Sequence, residues 1–484
     1  MPKPIPLPQN RMALPAALAA LILAVGLPFP AGTVLSMPGA IAQDDDEIGD
    51  DIEDDVDDDI EDDIEDDVEE GIEDEVEDDL EDDLEDDLED GLEDDFDDEF
   101  EAEFDDDLER EAEDDETGAD IRAVEDDIAR GFDDDGDRFA IGEWLVLVSA
   151  ADVAALRGSG LVADRIERLA ALDLYLTRVL TPGSLTRAEV EAAILAVAPG
   201  AEIDRNHLYG TGQADVAGGW GRRSPVQILP MPAGEAGAGL RLGVIDTAAD
   251  LSHPALGTAS VTVRDFVSNS AERPTAHGSA VLSILAGNAP GFGGLLPEAD
   301  YFAASVFSAD GEGRQSATTV SLVRAVDWML DSGVDVVNMS LSGPPNRVLE
   351  RALGNAVVRG LAIVAAVGNR GPAAAPQYPA AYERVVGVTA IAAGNRVYRL
   401  AGRGAHVAFA APGVGIRHVV GQGYGSSSGT SFAAPFVTAA LAVRLRDAGS
   451  DQRGALAALR RDAMDLGPAG FDDVYGHGLV RMRQ

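Results

Sequence analysis

The chain has 484 residues, no cysteine and a formal net charge of −54 at pH 7. Lacking cysteine, it has no disulfide frame, no thiol nucleophile and no Cys-based zinc site, so a hydrophobic core alone must hold the fold. The charge is local: residues 44–116 carry 51 of the 89 acidic residues and one of the 35 basic ones, leaving 38 acids and 34 bases elsewhere. A generally acidic surface is therefore excluded, and no nucleic acid is expected as a partner of the acidic segment, because both surfaces are negative.

Residues 1–42 read as a signal peptide. Lys3 and Arg11 give a basic start and Ala13 to Leu27 is apolar; Pro28 and Pro30 end that run, and Ala40-Ile41-Ala42 offers small residues at the spacing of a signal-peptidase site. The apolar run falls short of the ~20 residues that span a bilayer. Export to the periplasm or the medium follows, with no permanent membrane anchor.

Residues 43–137 form an acidic low-complexity tract. From Ile48 to Ala112 an apolar residue or Ala recurs at every fourth position, through Ile52, Val56, Ile60, Leu80, Leu84 and Phe100, with Asp and Glu between. A period of four drifts by about 40° per repeat on a helix of 3.6 residues per turn, so the stripe winds around the helix and offers no single face. Like charges at i and i+4 repel. The tract is expected to be disordered and expanded. The alternative is a segment that compacts when Ca²⁺, which prefers carboxylate oxygens, neutralises it. Asp133 to Asp137 lacks the EF-hand offsets, so no metal site is assigned there and metal sites in general stay unassigned.

Residues 138–209 change character. Trp144 to Val148 reads as a strand, Ala151 to Arg157 as a helix, and Ala170 to Leu180 as a strand or hairpin arm. Ser184 is expected to cap a helix through Ala198 that carries Val190, Ile194 and Leu195 on one face, and Ala201 opens a last strand. The order β-α-β-β-α-β is that of a small ferredoxin-like α+β domain. A Gly/Ala/Pro-rich linker, residues 210–239, follows.

In residues 240–484 apolar runs alternate with amphipathic stretches. Leu242 to Ile245, Val334 to Met339 and Ile363 to Gly368 suit buried strands, and Thr318 to Ser332 and Val348 to Arg359 suit helices. This alternation implies an α/β fold, a parallel sheet with helices on both faces. Asp246 follows the first strand, where catalytic groups gather in such sheets. His277 opens a helix in A-H-G-S-A, Asn369 ends A-A-V-G-N, and Ser431 lies in G-T-S-F-A-A-P at a helix start. Pro435 is tolerable there because a first turn has N–H groups without intrahelical partners. Acid, base and nucleophile in acyl-transfer triads occur in different chain orders on unrelated folds.

The order Asp246, His277, Ser431 and the words around each residue resemble the subtilisin-like serine peptidases, or subtilases, over roughly the C-terminal half. The resemblance implies a subtilisin-like fold and a secreted serine endopeptidase acting on polypeptide substrates. Asp246 would orient His277, His277 would deprotonate Ser431, and Asn369 would donate to the oxyanion. Ser340-Leu341-Ser342-Gly343 resembles the edge on which the peptide adds as a strand. Gly368 and Gln377 would line the pocket for the residue before the cut bond, with Gln377 where small residues are common, so a narrowed or polar pocket is expected. Ala248 and Ser342 stand where the family usually has Gly. His253 falls in a loop feature without chemistry.

The family's calcium loop is not carried over, since residues 288–294 are short and poor in carboxylates. No cofactor is required for the chemistry. The ferredoxin-like domain resembles the inhibitory propeptide of many subtilases, so the chain's own prodomain is expected as an inhibitor. Its tail, Asn206 to Tyr209, would lie in the cleft, with self-cleavage after Tyr209 or within residues 210–239. Against the enzyme stands an inactive subtilase shell that displays the acidic arm for ions or partners.

Overall fold

The computed structural model describes residues 130–482 except 134–135, 160, 162–165, 182–184, 212–219, 268–272 and 311–312. The expected signal peptide and the acidic repeat lie outside the described residues.

The first layer is built from β1 (Arg130–Phe132), β2 (Arg138–Val148), α1 (Ala150–Gly158), β3 (Glu167–Leu169), β4 (Leu174–Leu180), α2 (Arg187–Val197) and β5 (Glu202–Tyr209). From β2 onward this is the expected β-α-β-β-α-β order. β1 was expected inside the disordered tract, yet it pairs antiparallel with the start of β2 and Arg130 forms an ion pair with Asp310. Helix α2 starts later than Ser184 would place it, because Thr186 and Glu189 make a capping box. Thr186 Oγ1 accepts from the Glu189 N–H and a Glu189 carboxylate oxygen accepts from the Thr186 N–H, satisfying two donors that a helix start leaves over.

Alternation along β2 explains why Trp144 to Val148 is apolar throughout. Successive strand side chains point to opposite faces. Trp144, Val146 and Val148 pack with Val153, Leu156, Val190 and Ile194 of α1 and α2. Leu145 and Leu147 point the other way and join Val320, Val323, Leu349 and Leu353 in a second core.

Those last residues belong to two helices of the larger layer, α5 (Thr319–Asp331) and α6 (Arg347–Val358). That layer comprises α3 (Pro225–Ile228), β6 (Arg241–Asp246), β7 (Ser260–Asp265), α4 (Ala276–Ala286), the short hairpin β8 (Asn288–Ala289) and β9 (Phe292–Gly293), and β10 (Asp300–Ser305). It continues with β11 (Phe307–Ala309), β12 (Gln315–Thr318), α5 (Thr319–Asp331), β13 (Val336–Met339), α6 (Arg347–Val358), β14 (Ala362–Ala366) and β15 (Val386–Ile391). It ends with β16 (Val407–Pro412), the hairpin β17 (Ile416–Val420) and β18 (Gly423–Ser427), α7 (Thr430–Asp447) and α8 (Gln452–Asp462).

Seven of these strands form one parallel sheet in the order β16-β15-β14-β13-β6-β10-β7. Val281 and Leu285 of α4 and Phe436 and Ala440 of α7 cover one face; α5 and α6 cover the other. Residues 220–239, expected as linker, pack against this layer instead: Leu229 and Met231 are buried in its core beside Leu240.

The two layers meet along β5. It pairs with β2 on one side and, through Tyr209 and Leu208, with Ala317 and Thr318 of β12 on the other. Its polar side chains finish two helix starts. Asp204 Oδ2 accepts from the Arg347 N–H of α6 at 2.9 Å, and Asn206 Oδ1 accepts from the Val320 N–H of α5 at 3.3 Å. A carboxylate or amide oxygen at a helix N-terminus satisfies an orphan donor, and the carboxylate also complements the dipole.

Candidate active site

Asp246 ends β6, fully buried, and its Oδ1 accepts from His277 Nδ1 and from the Thr247 N–H, each at 2.7 Å. With Nδ1 carrying its proton toward the carboxylate, His277 Nε2 is the basic nitrogen. That atom and Asp246 Oδ2 are buried without a hydrogen-bond partner. His277 reaches Asp246 because Gly278 follows it. A Cβ on Gly278 would lie 2.3 Å from the Thr247 carbonyl oxygen and 2.6 Å from that of Ala248. The helix start therefore docks directly onto the strand end, and the Gly278 N–H donates to Thr247 Oγ1 at 2.7 Å.

Ser431 occupies the first turn of α7, preceded by Gly429 at φ +155°, a backbone state open to glycine. Phe432, the next residue, packs against the His277 ring with centroids 5.5 Å apart. Ser431 Oγ donates to the Ser340 carbonyl at 3.2 Å.

Pro435 has a consequence beyond being tolerated. It has no N–H to bond the carbonyl four residues back, which is that of Ser431. Ser340 Oγ donates to this carbonyl at 2.7 Å, Asn338 Nδ2 donates to Ser340 Oγ at 2.8 Å, and Thr438 Oγ1 donates to Asn338 Oδ1 at 3.1 Å. All three side chains have no solvent exposure. Asn369 follows β14 and is tied to the same helix start, its Oδ1 accepting from the Thr430 N–H at 3.0 Å and from Thr430 Oγ1 at 3.1 Å. Its NH₂ group is thereby the donor end of the amide.

Residues 237–478, half of the chain, match the model of the subtilase family. The chain belongs to the subtilase family. It is 33% identical to subtilisin BL of Lederbergia lenta over 255 residues, 51% of this chain and 90% of that protein. Against the minor extracellular protease Epr of Bacillus subtilis (strain 168) it is 32% identical over 265 residues, 54% of this chain and 40% of Epr. With subtilisin E of the same strain the match spans 57% of the relative, so the chain spans about half the length of these two relatives. Among solved structures, fervidolysin from Fervidobacterium pennivorans, a keratinolytic enzyme related to subtilisin, superposes with a TM-score of 0.59 at 21% identity, covering 72% of this chain and 61% of that one. That likeness speaks for the fold.

The other residues expected at the site follow β13 and β14 of the same sheet. Ser340, Leu341, Ser342 and Gly343 follow β13. Ser342 exchanges two backbone hydrogen bonds with Gly210, both 3.0 Å, and Gly343 exchanges two with Tyr378, at 2.8 and 2.9 Å. Gly368 and Gln377 lie side by side. Tyr209 is not at the nucleophile: it is fully buried, its ring lies over Gly343 and its hydroxyl donates to the Pro344 carbonyl at 3.0 Å.

His253 sits in a loop, Nδ1 accepting from the Ala255 N–H at 3.0 Å, which leaves Nε2 to donate to the Gly423 carbonyl at 3.1 Å. His418 stacks on Phe432 at 5.4 Å, a support for the nucleophile turn with no local sequence signal. The Asn338–Thr438 contact was equally missed; Asn338 in β13 and Ser340 just after it flank Met339, and only the fold brings Thr438 to them. Among the described residues no group of three or more His, Asp or Glu is placed to hold a metal ion, and no helix is long and apolar enough to cross a membrane.

Proposed function

We propose that this subtilase is a secreted serine endopeptidase made as a zymogen, with the β1–β5 layer as its inhibitory prodomain. The observation that carries the reading is the buried Asp246–His277 pair at 2.7 Å, whose unbonded Nε2 lies beside the turn that holds Ser431. On this reading Ser431 Oγ turns from the Ser340 carbonyl toward His277, which takes its proton as the oxygen attacks a peptide carbonyl. The oxyanion accepts from the Ser431 N–H and from Asn369 Nδ2, donors typically worth ~3 kcal/mol each in such a site. Asp246 stabilises the imidazolium, His277 returns the proton to the leaving amine, and water releases the acyl group. The chemistry needs no cofactor; Ca²⁺ is proposed only as a ligand of the acidic tract.

Two features support the zymogen reading. β5 is bound on both edges, and Gly210 lies on the Ser342 edge as an extended substrate would. A chain keeping that register meets Ser340, and hence Ser431, two residues beyond Gly210. The cut is thus proposed after Gly212 and not after Tyr209. The substrates are polypeptides; export rests on residues 1–42.

A fluorophosphonate probe applied to the processed protein, beside a Ser431→Ala control, tests the enzyme. Labelling of the wild type alone is expected; absence of labelling in folded protein would favour the inactive shell. N-terminal sequencing tests processing: Gln213 is expected first in the wild type, while Ser431→Ala stays uncut.

A further inference from the structure

The edge from Ser340 to Gly343 is flanked on both sides. On one side Gly210 pairs antiparallel with Ser342, so position 212 of a strand in that register falls opposite Ser340, whose carbonyl oxygen is 3.2 Å from Ser431 Oγ. On the other side Gly343 pairs with Tyr378, which draws Gln377 in beneath the edge. A Cβ built on Gly368 would meet Gln377 Cγ at 2.9 Å, Gln377 Cβ at 3.1 Å and Ser342 Oγ at 3.4 Å. The Gln377 side chain thus fills the gap between the substrate edge and the strand end that carries Asn369. It is 5% exposed. Nε2 donates to the Ala375 carbonyl at 3.1 Å, while Oε1 is buried and has no hydrogen-bond partner.

We infer that Gln377 closes the recess beneath the residue whose carbonyl is attacked, and restricts this endopeptidase to bonds that follow Gly, Ala or Ser. The inference rests on the peptidase reading above. A large apolar side chain would have to displace a buried glutamine and face an acceptor it cannot satisfy, whereas a small one needs no displacement. A serine hydroxyl can in addition donate to Oε1, and a buried acceptor without a donor is costly.

The test compares peptide p-nitroanilides that differ only in the residue before the amide: Gly, Ala, Ser, Leu or Phe. Rates are divided by the amount of Ser431 that a fluorophosphonate titrates, so misfolded protein does not count. The wild type is expected to favour Ala and Ser over Leu and Phe by about thirtyfold or more in kcat/KM. Gln377→Gly is expected to reverse the order, raising the Phe substrate about tenfold or more; Gln377→Ala serves if the glycine variant does not fold. A wild type that prefers Leu or Phe overturns the inference, as does a variant with the ranking unchanged. No titratable Ser431 in the wild type would overturn the peptidase reading, and this inference with it.

Discussion

The two layers bury their sheets by different means. The seven-stranded parallel sheet is covered on both faces by helices of its own layer, α4 and α7 on one side and α5 and α6 on the other. The sheet of the smaller layer covers one face with α1 and α2 and leaves Leu145, Leu147, Leu174 and Leu176 to be covered by α5 and α6. One layer is complete in itself; the other borrows half its core. The same contrast holds for polar groups. Around Ser431 the hydrogen bonds stay within the larger layer, while Asp204 and Asn206 of the smaller one spend theirs on helix starts across the boundary. On the proposed reading, such a division allows a fixed active centre and a separable cover.

If the centre is fixed by backbone contacts inside its own layer, the largest loss short of removing a reacting group should come from Gly278→Ala. The new Cβ meets two backbone oxygens, not a flexible side chain, so the start of α4 must retreat and carry His277 away from Asp246. A misplacement of about 1 Å costs roughly a hundredfold in rate. We expect kcat/KM to fall by about that factor in titrated enzyme, with the smaller layer still docked. An unchanged rate would mean that α4 can shift without moving the imidazole.

A milder break is Asn338→Ala, which leaves Ser340 Oγ without its donor and loosens the carbonyl that Pro435 frees. A fall in kcat of about tenfold is expected, equivalent to ~1.4 kcal/mol and within the range for one disturbed buried hydrogen bond, with KM little changed. Asn338→Asp keeps the volume but removes the donor, and Ser340 Oγ would turn to the new carboxylate. It should be as slow as the alanine variant. Wild-type kcat in the aspartate variant would reduce the network to packing.

These contrasts were only partly legible in the sequence. The parallel sheet was, because Leu242 to Ile245 and Ile363 to Val367 are apolar runs separated by amphipathic helices. The placement of Asp246, His277, Asn369 and Ser431 at element ends was too, because each sits in a short, recognisable word. The smaller layer's order was legible, but not that Leu145 and Leu147 serve a different core from Trp144 and Val146; a run apolar at every position says that both faces are buried without saying by what. Residues 220–239 read as linker because Gly and Pro outweigh Leu229 and Met231. The Ser340–Asn338–Thr438 network was illegible because Thr438 lies 100 residues from Asn338, and no local pattern marks a contact made through folding.

The smallest expected effect concerns the cover. His207 lies at the boundary, 3% exposed, with Nδ1 3.0 Å from Asn346 Nδ2. Since the amide donates, Nδ1 is unprotonated. Burial holds this imidazole below its ordinary value, against the opposing pull of Asp204, Asp133 and Asp137. A histidine depressed in the folded state binds fewer protons than in the unfolded chain between its folded value and about 6.5. Its stabilising contribution is therefore complete above about pH 6.5 and is lost as pH falls through that window toward the folded value. Protonation of Nδ1 would also set it against the Asn346 NH₂ group, whose amide oxygen caps α6 through the Leu349 N–H. In a Ser431→Ala background, which keeps the two layers in one chain, Tm should drop between pH 7.5 and 5. His207→Gln keeps an acceptor for Asn346 but cannot titrate, and should lessen that drop by about 1–2 °C, roughly 1 kcal/mol for a protein of this size. Equal drops in the two proteins would place the acid sensitivity in other groups and leave the cover's docking independent of His207.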